Sequence, residues 1–147
     1  MKLVDIFEQE CDVGNIDVLE QHLDALFADL GIDVEFTQHF KQRLRERGCE
    51  QGFNVRHLEQ ILTQFKNEKA KELKKISDKH ESKELVLKKF FRDLEDVLNV
   101  VIGLNPLRYP EKGPGNNKIY STLNAITAMK KKNFTTGNTP IVPLSTK

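Results

Sequence analysis

The spacing of apolar residues changes character along the chain, and that change limits the architectures open to it. Leu19, Leu23, Leu26, Phe27 and Leu30 recur at three- and four-residue steps, as do Val55, Leu58, Ile61, Leu62 and Phe65. A helix returns side chains to one face every 3.6 residues, so both runs predict amphipathic helices. Later the pattern turns β-branched. Val97-Leu-Asn-Val-Val-Ile102, bounded by Gly103, Asn105 and Pro106, reads as a strand. Lys118–Met129 alternates loosely and predicts another, with Ile119, Leu123 and Ile126 inward. Helices first and strands last predict an α+β domain, its N-terminal helices packed on a small C-terminal antiparallel sheet.

Local signals divide the helical part. Gly31 ends the helix over 16–30, and Gly14-Asn15 separates it from a shorter helix over 2–12. His22 lies on the apolar stripe and reads as a packed or boundary histidine. Ile32-Asp-Val-Glu-Phe36 alternates, as a short strand or an extended entry to the next helix. Thr37 is an N-cap for a helix over 38–47, with Phe36 as a staple, Phe40 and Leu44 buried, and Gly48 as the stop. Asn54 caps the helix from 55 to 65, which runs on into a fraying, lysine-rich 66–75. Residues 76–83 read as a loop with His80 at the surface, and 84–95 stay unassigned. Three prolines and two glycines make 105–117 a long loop. The chain thus divides into an acidic helical segment over 1–31, an α+β body over 32–136 and an extended tail over 137–147.

The net charge of +1 conceals an asymmetry. Residues 1–36 hold one lysine against ten Asp and Glu, whereas 37–147 hold 22 Lys and Arg against 12 acids. A basic body points to a polyanion such as nucleic acid, and equally to an ordinary solvated surface. The acidic N-terminal helix offers a docking element for a protein partner, which the family resemblance given below implies to be a phage structural or host protein. No apolar run approaches the roughly 20 residues of a membrane span, and no secretory leader opens the chain. Host cytoplasm or virion is the expected location. Cys11 and Cys49 are read as reduced; with four scattered histidines they lack the spacing of a zinc site, and no cofactor is expected.

One constellation carries chemistry. His39, Arg43 and Arg47 fall at four-residue intervals on one helical flank, beside the Phe40–Leu44 stripe. Much later come Thr127 and the run Lys130, Lys131 and Lys132. RNA transesterification needs proton transfer and positive charge at the phosphorane oxygens. Imidazole titrates near neutrality, and guanidinium is permanently charged and can bind phosphate bidentately. Thr127 can donate to a phosphate oxygen, and the lysines can hold the RNA backbone. The bland alternative is a surface histidine and surface arginines, Arg47 being favoured near a helix C-terminus by the macrodipole.

The segment His39-Phe-x-x-Arg43-x-x-Glu46-Arg47-Gly48, the capped helix at Asn54–Leu62 and Thr127-Ala-Met-Lys-Lys-Lys-Asn-Phe134 together resemble a known group. They are similar to small phage-encoded and toxin-like members of the barnase–EndoU–colicin–RelE-like nuclease superfamily. The resemblance spans roughly residues 32–136, and Asn99 sits where that group often has a strand residue. It implies a metal-independent endoribonuclease, or descent from one. His39 would transfer protons, Arg43 and Arg47 would bind phosphate, and Thr127 and Lys130 would contribute from the second strand. The charged insert at 66–83 and the acidic N-terminal helix depart from the pattern. They leave room for an inactive phage virion or interaction protein on the same fold. A helix–turn–helix DNA binder built on 38–47 and 55–65 is a third reading, against which the long gap between them counts.

Overall fold

A computed structural model describes residues 12–79, 81–132, 134 and 139–144. The expected helix over 2–12, Cys11 and His80 fall wholly or almost wholly outside them.

Asn15 caps the first helix, α1 (Ile16–Phe27), by accepting from the Val18 N–H. A 3-10 turn follows (Ala28–Leu30), and Gly31 takes the left-handed conformation that stops it. Strand β1 (Ile32–Phe36) runs into α2 (Gln38–Gln51). Thr37 Oγ1 accepts from the Phe40 N–H at 3.0 Å, and the Phe36 and Phe40 rings stack 5.0 Å apart. Helix α3 (Val55–Asp78) is capped by Asn54 and leaves helical geometry at Lys69. Then come β2 (Lys83–Phe91), β3 (Asp96–Lys112), a 3-10 turn at Pro114–Asn116, β4 (Lys118–Lys130) and β5 (Ile141–Pro143).

These strands form one five-stranded sheet in the order β1-β4-β3-β2-β5. The β2–β3–β4 meander is antiparallel, while β1 pairs parallel with β4 and β5 parallel with β2. The expected small antiparallel sheet is therefore corrected to a mixed, five-stranded one. A returning chain that crosses over a helix, as between β1 and β4, can enter parallel.

Several boundaries differ for local reasons. Gly48 does not end α2; it is buried, and a Cβ there would come 2.5 Å from Val13 Cγ1 and 2.6 Å from the Phe53 carbonyl. The helix continues to Gly52, whose φ of 83° closes it. Helix α3 holds its lysine-rich second half, because Leu73 and Ser77 are buried beneath it. Residues 84–95 are the strand β2 and a turn: Leu85, Leu87, Lys89 and Phe91 are buried with period two. Much of the expected 105–117 loop continues β3, with a break in its pairing to β4 between Pro106 and Glu111. A bulge at Ile126 turns that side chain outward, 41% exposed, and Ala125 takes the inward place.

The three described helices pack on one face of the sheet. Leu23 and Phe27, Phe40 and Leu44, Ile61 and Phe65 join Leu87, Val100, Ile102 and Leu123 in one core. Burying each such side chain stabilises the fold by roughly 1.5–3 kcal/mol. Two helices also close exposed strand edges with side chains one turn apart. Glu20 and Asp24 of α1 accept from the Phe36 and Val34 N–H groups of β1, at 2.6 and 3.1 Å. Arg47 and Gln51 of α2 do the same for β4 beyond the end of β1: Arg47 donates to the Ala128 carbonyl, and Gln51 Oε1 accepts from the Lys130 N–H. An unpaired edge is an invitation to aggregate, and these contacts satisfy it.

Cys49 is disulfide-bonded, which corrects the expectation of a reduced thiol. Spacing in sequence carries no information about approach in space. No helix among the described residues is long and apolar enough to cross a membrane.

Candidate functional site

The helix α2 and the strand β4 bring part of the sequence constellation together. Arg47 Nη1 donates to Thr127 Oγ1 at 2.6 Å and to the Ala128 carbonyl at 3.3 Å. A guanidinium has five N–H groups. Those on Nη2 and Nε meet no acceptor among the described residues, so Arg47 keeps donors for an anion beside the Thr127 hydroxyl.

His39 and Arg43 are exposed on the same flank of α2, while Arg47 is half-buried. Eight residues of helix separate the His39 and Arg47 backbones by about 12 Å, with Arg43 midway. The three form a row and do not converge on one atom. Lys130 is half-buried at the end of β4, with Lys131 and Lys132 exposed beyond it.

The register shows which face Thr127 occupies. Paired residues in a sheet share a face. Thr127 lies opposite Val101, Met129 opposite Asn99 and Asn124 opposite Gly103. On the other side of β3, Val86, Lys88 and Glu84 pair with the same three residues. The intervening Leu98, Val100 and Ile102 face the helices. Thr127 therefore belongs to the sheet face turned away from the three described helices, and Arg47 reaches its rim from the β4 edge.

Two further groups on that face escaped the sequence reading. Lys88 Nζ donates to Asn99 Oδ1 at 2.7 Å and stands 5.6 Å from the Phe134 ring centroid. Burial lowers its pKa, because desolvation disfavours the ammonium form. Asn99 is fully buried and donates to the carbonyls of Met129 and Lys131, fixing the course of the chain into the lysine run. Sheet geometry puts Lys88 two strands and one pleat from Thr127, about 12 Å away. Leu85-Val-Leu-Lys-Lys-Phe-Phe91 does not alternate, so no sequence signal pointed to Lys88.

Some features that look chemical serve the fold instead. His57 Nδ1 accepts from the Asn54 N–H at 3.0 Å, so a neutral ring carries its proton on Nε2, which lies 2.7 Å from Asp93 Oδ2. With Nδ1 committed to the backbone, this histidine–aspartate pair ties the start of α3 to the β2–β3 turn. It also holds the Asp93 carboxyl below the usual carboxylate range. His22 is largely exposed beside Glu59 at 3.5 Å. Lys41 pairs with Asp17 and Glu20 at 2.8 and 3.1 Å, and Lys66 with Asp29 at 3.3 Å. Much of the acidic charge of the N-terminal segment is thus engaged within the fold. A groove of about 470 Å³ between α3 and Lys89 holds none of the sequence-derived site residues.

Comparison with family models, with curated proteins and with solved structures finds no match.

Proposed function

We propose that this chain binds single-stranded RNA along the exposed flank of α2 and over the sheet face opposite the described helices, and cleaves it without a metal. The contact of Arg47 with Thr127 carries the reading. It unites two segments eighty residues apart that the resemblance to the barnase–EndoU–colicin–RelE-like superfamily pairs as one site. In the reaction, the ribose 2′-oxygen attacks the adjacent phosphorus and the bond to the 5′-oxygen breaks. The products are a 2′,3′-cyclic phosphate and a 5′-hydroxyl. His39 takes the 2′-hydroxyl proton, and water supplies the proton for the leaving oxygen. Arg43 and Arg47 bind phosphate oxygens, with Thr127 donating beside them. Lys130, Lys131 and Lys132 hold the flanking backbone, and Lys88 adds a cation to the same face. The disulfide at Cys49 fits a virion or an oxidising compartment better than a reducing cytosol.

The roughly 12 Å between His39 and Arg47 along the helix favours a second reading, an RNA-binding or virion protein that kept the fold without the activity. Incubating tRNA and a long single-stranded RNA with wild type and His39→Ala, in EDTA, separates the two. The endoribonuclease reading expects EDTA-resistant cleavage by wild type that is lost in the variant. Intact RNA with folded wild-type protein would leave the binding reading in its place.

A further inference from the structure

A shallow groove of about 350 Å³ crosses the sheet face opposite the described helices, next to the Arg47–Thr127 pair. Its walls are Glu84 on β2, Asn105 on β3, and Asn124 and Ile126 on β4; Gly103 forms its floor. Gly103 lies in the central strand, directly opposite both Asn124 and Glu84. Nothing in the fold demands glycine here. It is absent from the left-handed positions, and a Cβ would make ordinary contacts, 3.5 Å from Ile126 Cδ1 and 3.6 Å from Asn105 Nδ2. Glycine weakens a strand, and in a strand interior it often marks where a ligand approaches the backbone.

The rim is equally specific. Asn105 pairs with Thr122 and Asn124 with Gly103, so the two carboxamides are diagonal neighbours across the same gap. Neither side chain hydrogen-bonds another described residue, so each offers a donor and an acceptor. Glu84 adds a carboxylate from the far side, and the outward Ile126 supplies an apolar edge. A flat ring with polar edges fits this arrangement. It can pack against the exposed Ile126 above the buried Gly103 and place exocyclic nitrogen against the acceptors.

We propose that this groove is a base-recognition subsite for single-stranded RNA, selecting a base with an exocyclic amino group. The base belongs to a nucleotide next to the phosphate held by Arg47 and Thr127. The inference rests on the RNA reading above. Arg47 and Lys88 put positive charge on the face and Lys83 stands at the end of the groove, while Glu84 in the groove and Glu35, paired with Asn124, put carboxylates beside the base position. An asparagine carboxamide can hydrogen-bond adenine bidentately and a carboxylate can accept from the cytosine amine, each worth about ten-fold or more in discrimination.

The test measures anisotropy of labelled 2′-O-methyl oligoadenylate, oligocytidylate, oligouridylate and an abasic strand of equal length, which lack the 2′-hydroxyl needed for cleavage, with wild type, Gly103→Val and Asn124→Ala. The subsite predicts that the adenylate or cytidylate binds about ten-fold tighter than the uridylate and the abasic strand. Both variants should erase that preference while keeping the residual affinity for the abasic strand. A Cβ at Gly103 meets only ordinary contacts and the isopropyl group enters the groove, so loss of preference with an unchanged circular dichroism spectrum reports the site. Equal wild-type affinity for all four strands would overturn the subsite and leave RNA binding standing. No binding of any strand would overturn both.

Discussion

Arg47 on α2 donates to Thr127 on β4 at 2.6 Å, and the same nitrogen reaches the Ala128 carbonyl. The contact does two things. It closes the β4 edge where β1 has ended, and it places a guanidinium with unused donors beside a half-buried hydroxyl on the sheet face opposite the described helices. A structural role and a phosphate-binding role therefore coincide at one residue, and mutagenesis must separate them.

Removing either partner should reveal the coupling. Arg47→Ala should lower unfolding free energy by about 1.5–3 kcal/mol, since a charged donor to two acceptors is lost. Thr127→Val should cost about 1 kcal/mol, and the double variant less than the sum. Urea denaturation of the four proteins checks this. Strict additivity would mean that the contact contributes nothing in solution.

Gly48 gives a prediction opposite to helix propensity. Alanine is preferred over glycine in a helix interior by about 1 kcal/mol. Here the added Cβ would meet Val13 Cγ1 at 2.5 Å and the Phe53 carbonyl at 2.6 Å. Gly48→Ala should therefore destabilise, by about 1–3 kcal/mol of overpacking in a urea titration.

The pairing of His57 with Asp93 should matter to stability and leave RNA chemistry alone. His57→Phe keeps an aromatic ring against Phe91 but abandons the Asn54 N–H and the Asp93 carboxylate. A loss of about 1–3 kcal/mol is expected by denaturation. Asp93→Asn should cost less than about 1 kcal/mol, because the Asp93 side chain is 64% exposed.

Asp33 sets a pH dependence. Burial, a hydrogen bond with Asp24 and the nearby charges of Asp24 and Glu35 push its carboxyl up to about 8 from 3.8. The folded state thus holds a proton that the unfolded chain releases near 3.8. The stabilisation is complete below that lower value and fades as pH rises through about 8. Thermal melts should show the midpoint falling between about pH 5 and pH 9. Asp33→Asn should raise it most at the alkaline end, with the difference shrinking as pH falls and vanishing below 3.8.

Caps and amphipathic stripes were legible in the sequence because they are local. Thr37 and Asn54 cap the helices their positions indicate, and Phe40 and Leu44 are buried. Strand β2 was not legible, because Lys89 occupies one of its inward positions while Phe90 and Leu94 complete a helical spacing. The parallel pairings of β1 and β5 depend on contacts distant in sequence, which no short window contains. The constellation was read as one cluster; the structure joins Arg47 to Thr127 but strings His39 and Arg43 along the helix. Lys88 and the Gly103 groove appear only once the register places three strands side by side.

The most direct measurement is the salt dependence of binding to a single-stranded RNA. It should use wild type, Arg43→Ala, Arg47→Ala and Arg45→Ala, the last an exposed arginine near Asp17 on another flank of α2. Each phosphate neutralised contributes a slope of about −0.7 in log K against log salt. The account predicts that the Arg43 and Arg47 variants each lose about one such unit while the Arg45 variant keeps the wild-type slope. Equal losses at all three positions, or no binding by the folded wild type, would contradict it.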